Sequence, residues 1–578
     1  MGNDDIAAVL ENIARLLEIK GENPFKLRAY VNGARAAETY PGDLKAAVAD
    51  GSISSIDGFG KALVEKVSEL VTTGRMEYYE KLREEFPADI LTLFELQGLG
   101  GKKIKVLYDS LGVHSITSLE RACHDGSVAA LPGFGEKTAA NLLKAIDHRK
   151  RHAGQFLLDQ AMPLAEALLA GLRDHPAVNQ VEIAGSYRRR KPVVRDLDFI
   201  VSTKEPAAVI EYFATHDVVE SVLAKGATKA SVLVRGGIQC DLRAVSGAEY
   251  PFALGYFTGS KEHNIRMRSR ALERGWTLNE YRLAVEREGA DPPPEVRTET
   301  DLYTALGLEF IPPELREDLG EFDAAEAREL PALVEWSNLR GTFHNHTTAS
   351  DGRATLEQMA EAARDLGLDY LGIADHSKSS FQANGLDEKR LLGQVEEIRR
   401  MNLESGDGFR LFAGTECDIR KDGTLDFDDD VLARLDYVVA SVHNAFSLGE
   451  AEMTKRVISA MENPFVTMLG HITGRLLLTR EPYAINIPAV IDAAAATGTI
   501  IELNANPRRL ELDWTWWPLA RSKGVKCSIN PDAHSTEGLG HLIFGVGIAR
   551  KGWLTRSDVI NTLGVDQVTA ALAAKRPK

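Results

Sequence analysis

The sequence has no apolar run long enough to span a bilayer, and its start, Met1-Gly2-Asn3-Asp4-Asp5, is polar and acidic. Neither a membrane protein nor a signal-bearing secreted one is expected. There are only 4 cysteines, Cys123, Cys240, Cys417 and Cys527, with no Cys-x-x-Cys pair. This excludes a zinc knuckle and a disulfide scaffold and fits a reducing cytoplasm. There is no low-complexity tract. No region is basic overall, because the net charge of −16 is shared among 1–153, 154–320 and 321–578. Binding nucleic acid through a broad basic face is therefore excluded. Phosphate contact would need local Arg/Lys clusters, bound cations or backbone N–H groups.

What is present reads as ordinary globular protein, 44% hydrophobic and 26% charged. A length of 578 residues predicts about three to five domains. Residues 1–150 read as short amphipathic helices broken by Gly-rich turns, and 155–245 as a helix followed by strands. Glu286 to Glu299, with Pro292-Pro293-Pro294, reads as a surface loop. Glu321 to Leu330, acidic and Ala-rich, reads as a helical or loose linker. From Gly341 onward strands and helices alternate.

A pattern recurs three times before a helical run: Ile56-Asp57-Gly58-Phe59-Gly60, Leu96-Gln97-Gly98-Leu99-Gly100 and Leu131-Pro132-Gly133-Phe134-Gly135. Paired glycines permit a tight turn and keep side chains out of the approach path. Such a turn aims backbone N–H groups outward at a helix start, which suits an anion. It would hold a DNA backbone phosphate without reading sequence and without net positive charge. A single copy is most simply a turn; three are not. The repeat resembles the helix-hairpin-helix motif.

A strand ending in Gly185-Ser186-Tyr187-Arg188-Arg189-Arg190 precedes Arg195-Asp196-Leu197-Asp198-Phe199. Strand side chains alternate, so Asp196 and Asp198 share one face and Leu197 and Phe199 the other. Adjacent carboxylates repel unless a cation lies between them, and hard divalent ions take such ligands together with substrate phosphates. Asp241, in the strand Ile238–Arg243, completes a triad suited to two metals.

These residues resemble the nucleotidyltransferase signature of the DNA polymerase beta family, family X. Tyr256-Phe257-Thr258-Gly259-Ser260 with Asn264 and Arg268 resembles its nucleotide-binding thumb segment. The resemblance implies that Asp196, Asp198 and Asp241 bind Mg²⁺ or Mn²⁺, with Asp241 activating a primer hydroxyl. Ser186 and Arg189 would hold the incoming triphosphate, with Gly185 allowing close approach. Tyr256, Phe257 and Gly259 would line the sugar pocket, Asn264 would touch the base and Arg268 the template. The sequence departs from the animal enzyme of that family at Gln239, where an arginine would stand, and at Lys261, where an acidic residue would stand. Lys66, with Lys26 nearby, matches a position that can act as a lyase.

After Gly341, apolar strands repeatedly run into metal-type residues. The ends carry His344 and His346 with Asp351 following, then His376 after Asp375, Glu416, His443, His471, and Asp532 with His534. In a β/α barrel such strand ends meet at one mouth, and mixed imidazole and carboxylate ligands suit Mn²⁺, Zn²⁺ or Fe²⁺. The spacing resembles the polymerase and histidinol phosphatase (PHP) domain, whose nine ligand positions match these residues. The resemblance implies that Glu416 bridges metals and that Asp375 supports from outside.

The whole chain resembles, in order, bacterial family X polymerases carrying this domain. The expected fold is multidomain α+β and α/β. Helical helix-hairpin-helix regions span 1–88 and 89–152, a nucleotidyltransferase palm with a mixed sheet spans 153–246, and a thumb spans 247–318. A linker covers 319–338 and a distorted β/α barrel 339–578. The expected partners are gapped or primed DNA and deoxynucleoside triphosphates, the expected state a monomer, and the expected place the nucleoid-bearing cytoplasm. The expected chemistry is gap-filling synthesis plus 3′→5′ trimming, with abasic-site cleavage as an extension of the latter. Two rivals are a small-molecule phosphatase or pyrophosphatase in the barrel, and a non-catalytic gap-binding scaffold.

Overall fold

The computed structural model describes every residue except 1, 41, 57, 97, 407, 577 and 578. Asp57 and Gln97 of the hairpin repeat thus lie outside the described residues. The chain forms two compact units, Met1–Ala153 and Gly154–Lys578.

The first unit is helical. Its opening helix, Asn3–Lys20, places Ile6, Leu10, Ile13 and Leu17 on one stripe, each with at most 1% of its surface exposed. It stops at Gly21, whose φ of +77° supplies the left-handed cap. The stripe packs against Pro24–Thr39 on one side and Gly101–Leu111 on the other. One apolar core therefore runs from Ile6 to Ile146, and the division expected at 88/89 falls inside a single unit.

The second unit begins with the helix Leu158–Asp174 after a short strand, followed by a five-stranded sheet in the spatial order Val178–Ile183, Asp196–Thr203, Gln239–Val245, Lys229–Val234, Val219–Lys225. Asp196–Thr203 and Gln239–Val245 pair in parallel and the other neighbours are antiparallel, so the sheet is mixed. Leu197 and Phe199 point into the core with no exposed surface. The helices Tyr250–Thr258, Lys261–Glu273 and Glu299–Ala305 and a small hairpin follow.

Of the two expectations for the linker, helical or loose, the helical one holds. Glu321–Ala327 is a helix whose Phe322 is buried among Met267, Leu302 and Tyr303. Glu321, fully buried, lies 2.8 Å from His263 Nδ1 and accepts the Asp318 and Leu319 amides. A histidine 58 positions away accompanies this acidic residue in the interior.

From Gly341 onward the strands all pair in parallel. Gly341–Asn345, Tyr370–Ile373 and Arg410–Ala413 form one sheet, and Glu416–Asp418, Val439–Ser441, Met468–Leu469, Ile500–Asn504 and Cys527–Asn530 the other. The bridges Asn345–Ala533 and His376–Glu416 join the two edges, closing a distorted barrel. The strand Ile500–Asn504 was not singled out in the sequence.

Candidate metal centres and nucleotide site

In the mixed sheet, strand register sets the carboxylates side by side. Asp198 pairs with Asp241, and Asp196 with Gln239. Asp241 accepts hydrogen bonds from Gln239 Nε2 at 2.8 Å and from the Ser231 hydroxyl on the next strand. A neutral amide thus orients Asp241. Burial, then the charge of Asp241, raises the Asp196 pKa. Burial, then Asp196 and Asp241, pushes Asp198 up to about 7. Carboxylates held together against their own repulsion form a site that a divalent cation fits.

Gly185 faces this pair. Its φ is +64°, and a Cβ there would stand 2.5 Å from Asp198 Oδ2, so only glycine fits. Arg189 is already engaged: it donates from Nη1 to the Thr258 carbonyl and from Nε to Glu317 Oε1 at 3.1 Å. Gly259 lies against it, where a Cβ would be 3.0 Å from Arg189 Nη1. Tyr256 and Phe257 meet edge to face with centroids 5.2 Å apart, and Arg243 stacks on Phe257. Asn264 donates to the Tyr256 carbonyl at 2.7 Å, and one cleft is lined by Tyr256, Asn264, Arg268 and Leu278.

In the first unit, Gly60 and Gly100 cap the helices Lys61–Thr73 and Gly101–Leu111, preceded by Gly58 and Gly98 at φ +93° and +88°. The third hairpin differs, with both Gly133 and Gly135 left-handed and the helix starting at Gly135 itself. Phe59, Leu99 and Phe134 are buried beneath the three turns. Lys66 lies over the ring of Tyr78, with Lys26 over the same ring.

In the barrel, all nine expected ligands converge. His346, Asp351, His376 and His534 offer atoms within 4.8 Å of one another, as do His344, His346 and Glu416, then His344, His471 and Asp532, and lastly His376, Glu416 and His443. Glu416 is the hub: its oxygens lie 2.7 Å from His471, 2.9 Å from His376, 3.1 Å from His443 and 3.2 Å from His344. Burial pushes its carboxyl up, but the imidazoles of His443, His344 and His376 outweigh this and hold it well below its usual range. His344 and Asp532 sit at φ +58° and +52°, strain of the kind that clusters at functional sites.

The donor set fits metal ions. Nε2 of His344, both ring nitrogens of His346, Nδ1 of His376 and Nδ1 of His471 are buried without an aligned hydrogen bond. Buried polar atoms are otherwise almost always paired, and coordination would satisfy the ones aimed into the cluster. Asp375 stands outside it, accepting from Thr347, Ser350 and Gln394.

Two supporting carboxylates had not been identified in the sequence. Glu502 Oε2 lies 2.5 Å from His344 Nδ1, and Asp418 Oδ1 lies 3.1 Å from His443 Nδ1. Glu502 also accepts from the His471 amide, Asn504 and Asn530. Its one signal is a lone carboxylate inside the apolar run Ile500-Ile501-Glu502-Leu503.

Family models agree with this layout. Helix-hairpin-helix domains match residues 1–76 and, as a tandem, 90–147; the DNA polymerase beta thumb matches 253–317; the PHP domain matches 342–506. Such chains form one class, polymerase beta-like nucleotidyltransferases carrying a PHP domain. The DNA polymerase/3′-5′ exonuclease PolX of Bacillus subtilis is 38% identical to this chain, covering 99% of each. The chain belongs to the PolX family. A probable phosphatase of Thermoanaerobacter sp. is 26% identical, covering 41% of this chain and 95% of its own. A solved Leishmania infantum polymerase beta in a ternary P/T complex is 23% identical with a TM-score of 0.26, covering 39% of this chain and 97% of its own.

Proposed function

We propose that this chain is a DNA polymerase that fills short gaps with residues 1–318 and trims 3′ ends with the barrel, 339–578. The observation that carries the two-activity reading is the convergence of nine ligands, scattered from His344 to His534, around Glu416, on a chain that separately holds the Asp196, Asp198 and Asp241 face. The palm, thumb and barrel act as functional regions within the second unit.

Asp196, Asp198 and Asp241 would hold Mg²⁺ or Mn²⁺. Asp241, oriented by Ser231 and Gln239, faces the primer hydroxyl and accepts its proton. Ser186 and Arg189 receive the triphosphate beside Gly185. Tyr256, Phe257 and Gly259 bound the sugar, Asn264 the base and Arg268 the template strand. The glycine hairpins at 58–60, 98–100 and 133–135 hold backbone phosphates. In the barrel the nine ligands would hold Mn²⁺, Zn²⁺ or Fe²⁺. Bound ions at either centre supply Lewis-acid polarisation of phosphate oxygens and a nucleophile at neutral pH. The protein works as a monomer in the cytoplasm on gapped or primed DNA. A lyase step at Lys66 is tested by borohydride trapping of a DNA adduct that Lys66→Ala loses.

A second reading of the barrel, a small-molecule phosphatase, is favoured by one observation: relatives that cover 41% of this chain bear the name probable phosphatase. One experiment separates the two. The full chain is given a gapped duplex with Mn²⁺, with and without nucleotides, alongside histidinol phosphate and pyrophosphate. Under the main reading primers lengthen with nucleotides and shorten without them. Hydrolysis of the small esters with intact 3′ ends would favour the second.

A further inference from the structure

Behind the Gly-Ser turn one carboxylate collects three cations. Glu317 lies 3.1 Å from Arg189 Nε, 3.0 Å from Lys191 Nζ and 2.6 Å from Lys551 Nζ. Lys551 is remote in sequence, the last residue of the helix Leu542–Lys551 that packs on the final barrel strand. It has no exposed surface. Its ammonium also donates to the main-chain carbonyls of Arg189 at 3.0 Å and Glu314 at 3.2 Å. The ring of Trp514, another barrel residue, lies 4.5 Å from that ammonium and 4.9 Å from the ammonium of Lys191. Gly547 lets the helix approach, since a Cβ there would stand 3.2 Å from Arg190 Cδ.

Taking an ammonium out of water is costly, and a buried ion pair is weak grounds for a gain in stability over apolar packing. What this arrangement provides is placement. Arg189 has five N–H donors, of which Nε goes to Glu317 and one on Nη1 to the Thr258 carbonyl. Glu317 thus fixes the side chain, and Lys551 holds both Glu317 and the Arg189 main chain. A guanidinium locked in this way presents its remaining donors in one direction, which is how binding groups are pre-organised.

We propose that Lys551 is a positioning residue for nucleotide binding, so that the barrel completes the triphosphate site of the polymerase through Glu317 and Arg189. This rests on the reading of Arg189 as a triphosphate ligand.

The test is single-nucleotide gap filling by the full-length protein, comparing Lys551→Met, Lys551→Arg, Glu317→Gln, Arg189→Lys and the Lys551→Met/Glu317→Gln double variant. Lys551→Met is expected to raise the KM for the nucleotide about tenfold, with kcat and gapped-DNA Kd moving less than about twofold. Lys551→Arg should recover part of that loss. Glu317→Gln should raise KM similarly, and the double variant should be no worse than the worse single, because both act through one chain of contacts. Melting temperature and Mn²⁺ bound per chain report folding. If Lys551→Met does not fold, Glu317→Gln decides alone. If Arg189→Lys leaves KM unchanged, the triphosphate reading fails. If it raises KM while Lys551→Met and Glu317→Gln do not, the positioning role is overturned. A joint loss of kcat, DNA affinity and melting temperature would also overturn it, showing a purely structural weld.

Discussion

Glu502 Oε2 stands 2.5 Å from Nδ1 of His344, and neither residue has any exposed surface. The two come from strands on different sheets of the barrel. The contact fixes the ring so that Nε2 faces Glu416 and Asp532. A carboxylate behind a ligating histidine sets its tautomer and raises its basicity, and losing one costs about 10–100-fold in metal affinity or activity. Glu502→Ala should therefore weaken Mn²⁺ binding by that amount and slow 3′ trimming while primer extension continues. Equilibrium Mn²⁺ titration reads this directly. Unchanged affinity would mean that the backbone alone aims His344.

The polymerase carboxylates predict a pH effect. Asp198 has a folded pKa near 7 against 3.8 ordinarily, from burial and then from Asp196 and Asp241. Between about pH 4 and 7 the metal-free folded protein keeps a proton that the unfolded chain has released, so stability falls as pH rises through that window. Below about pH 7 a metal must displace this proton, and its apparent affinity should drop up to about tenfold per pH unit. At pH 8, Asp198→Asn should raise the melting temperature of the metal-free protein and abolish extension. Calorimetry with chelator checks the first part; a lower melting temperature would contradict the assigned repulsion.

The hairpin glycines are required for different reasons. At Gly98 nothing lies within 4 Å of a built Cβ, but φ is +88°; at Gly58 the Cβ would also meet Ala36 Cβ at 2.9 Å. Alanine in the left-handed region costs about 1–2 kcal/mol. Gly98→Ala should lower gapped-DNA affinity, whatever the sequence, with a modest drop in melting temperature. Gly58→Ala should lower both more. Salt-titrated binding assays and thermal melts separate them. Wild-type binding by Gly98→Ala would remove that turn from the DNA contact.

The barrel cluster could be read from the sequence because histidines and carboxylates end apolar strands, a pattern local enough to see. Glu502 was not legible: it lies within an apolar run, and its partner is 158 residues away. The burial of Glu321 was not legible for the same reason, since its partner His263 is 58 residues away. The single core of the first unit was not legible in its run of short helices and Gly-rich turns. It depends on packing, because Asn3–Lys20 touches both Pro24–Thr39 and Gly101–Leu111 and Glu18 fills the space beside Gly101. The Asp196 and Asp198 face followed from strand alternation alone. The placement of Asp241 against Asp198 needed the parallel register.

The claim that two separate centres act on DNA is met most directly by assaying Asp196→Ala and His344→Ala on one gapped duplex with Mn²⁺, with and without nucleotides. Asp196→Ala should fail to extend but still shorten the 3′ end. His344→Ala should extend but not shorten it. Loss of both activities in either folded variant would contradict independent centres.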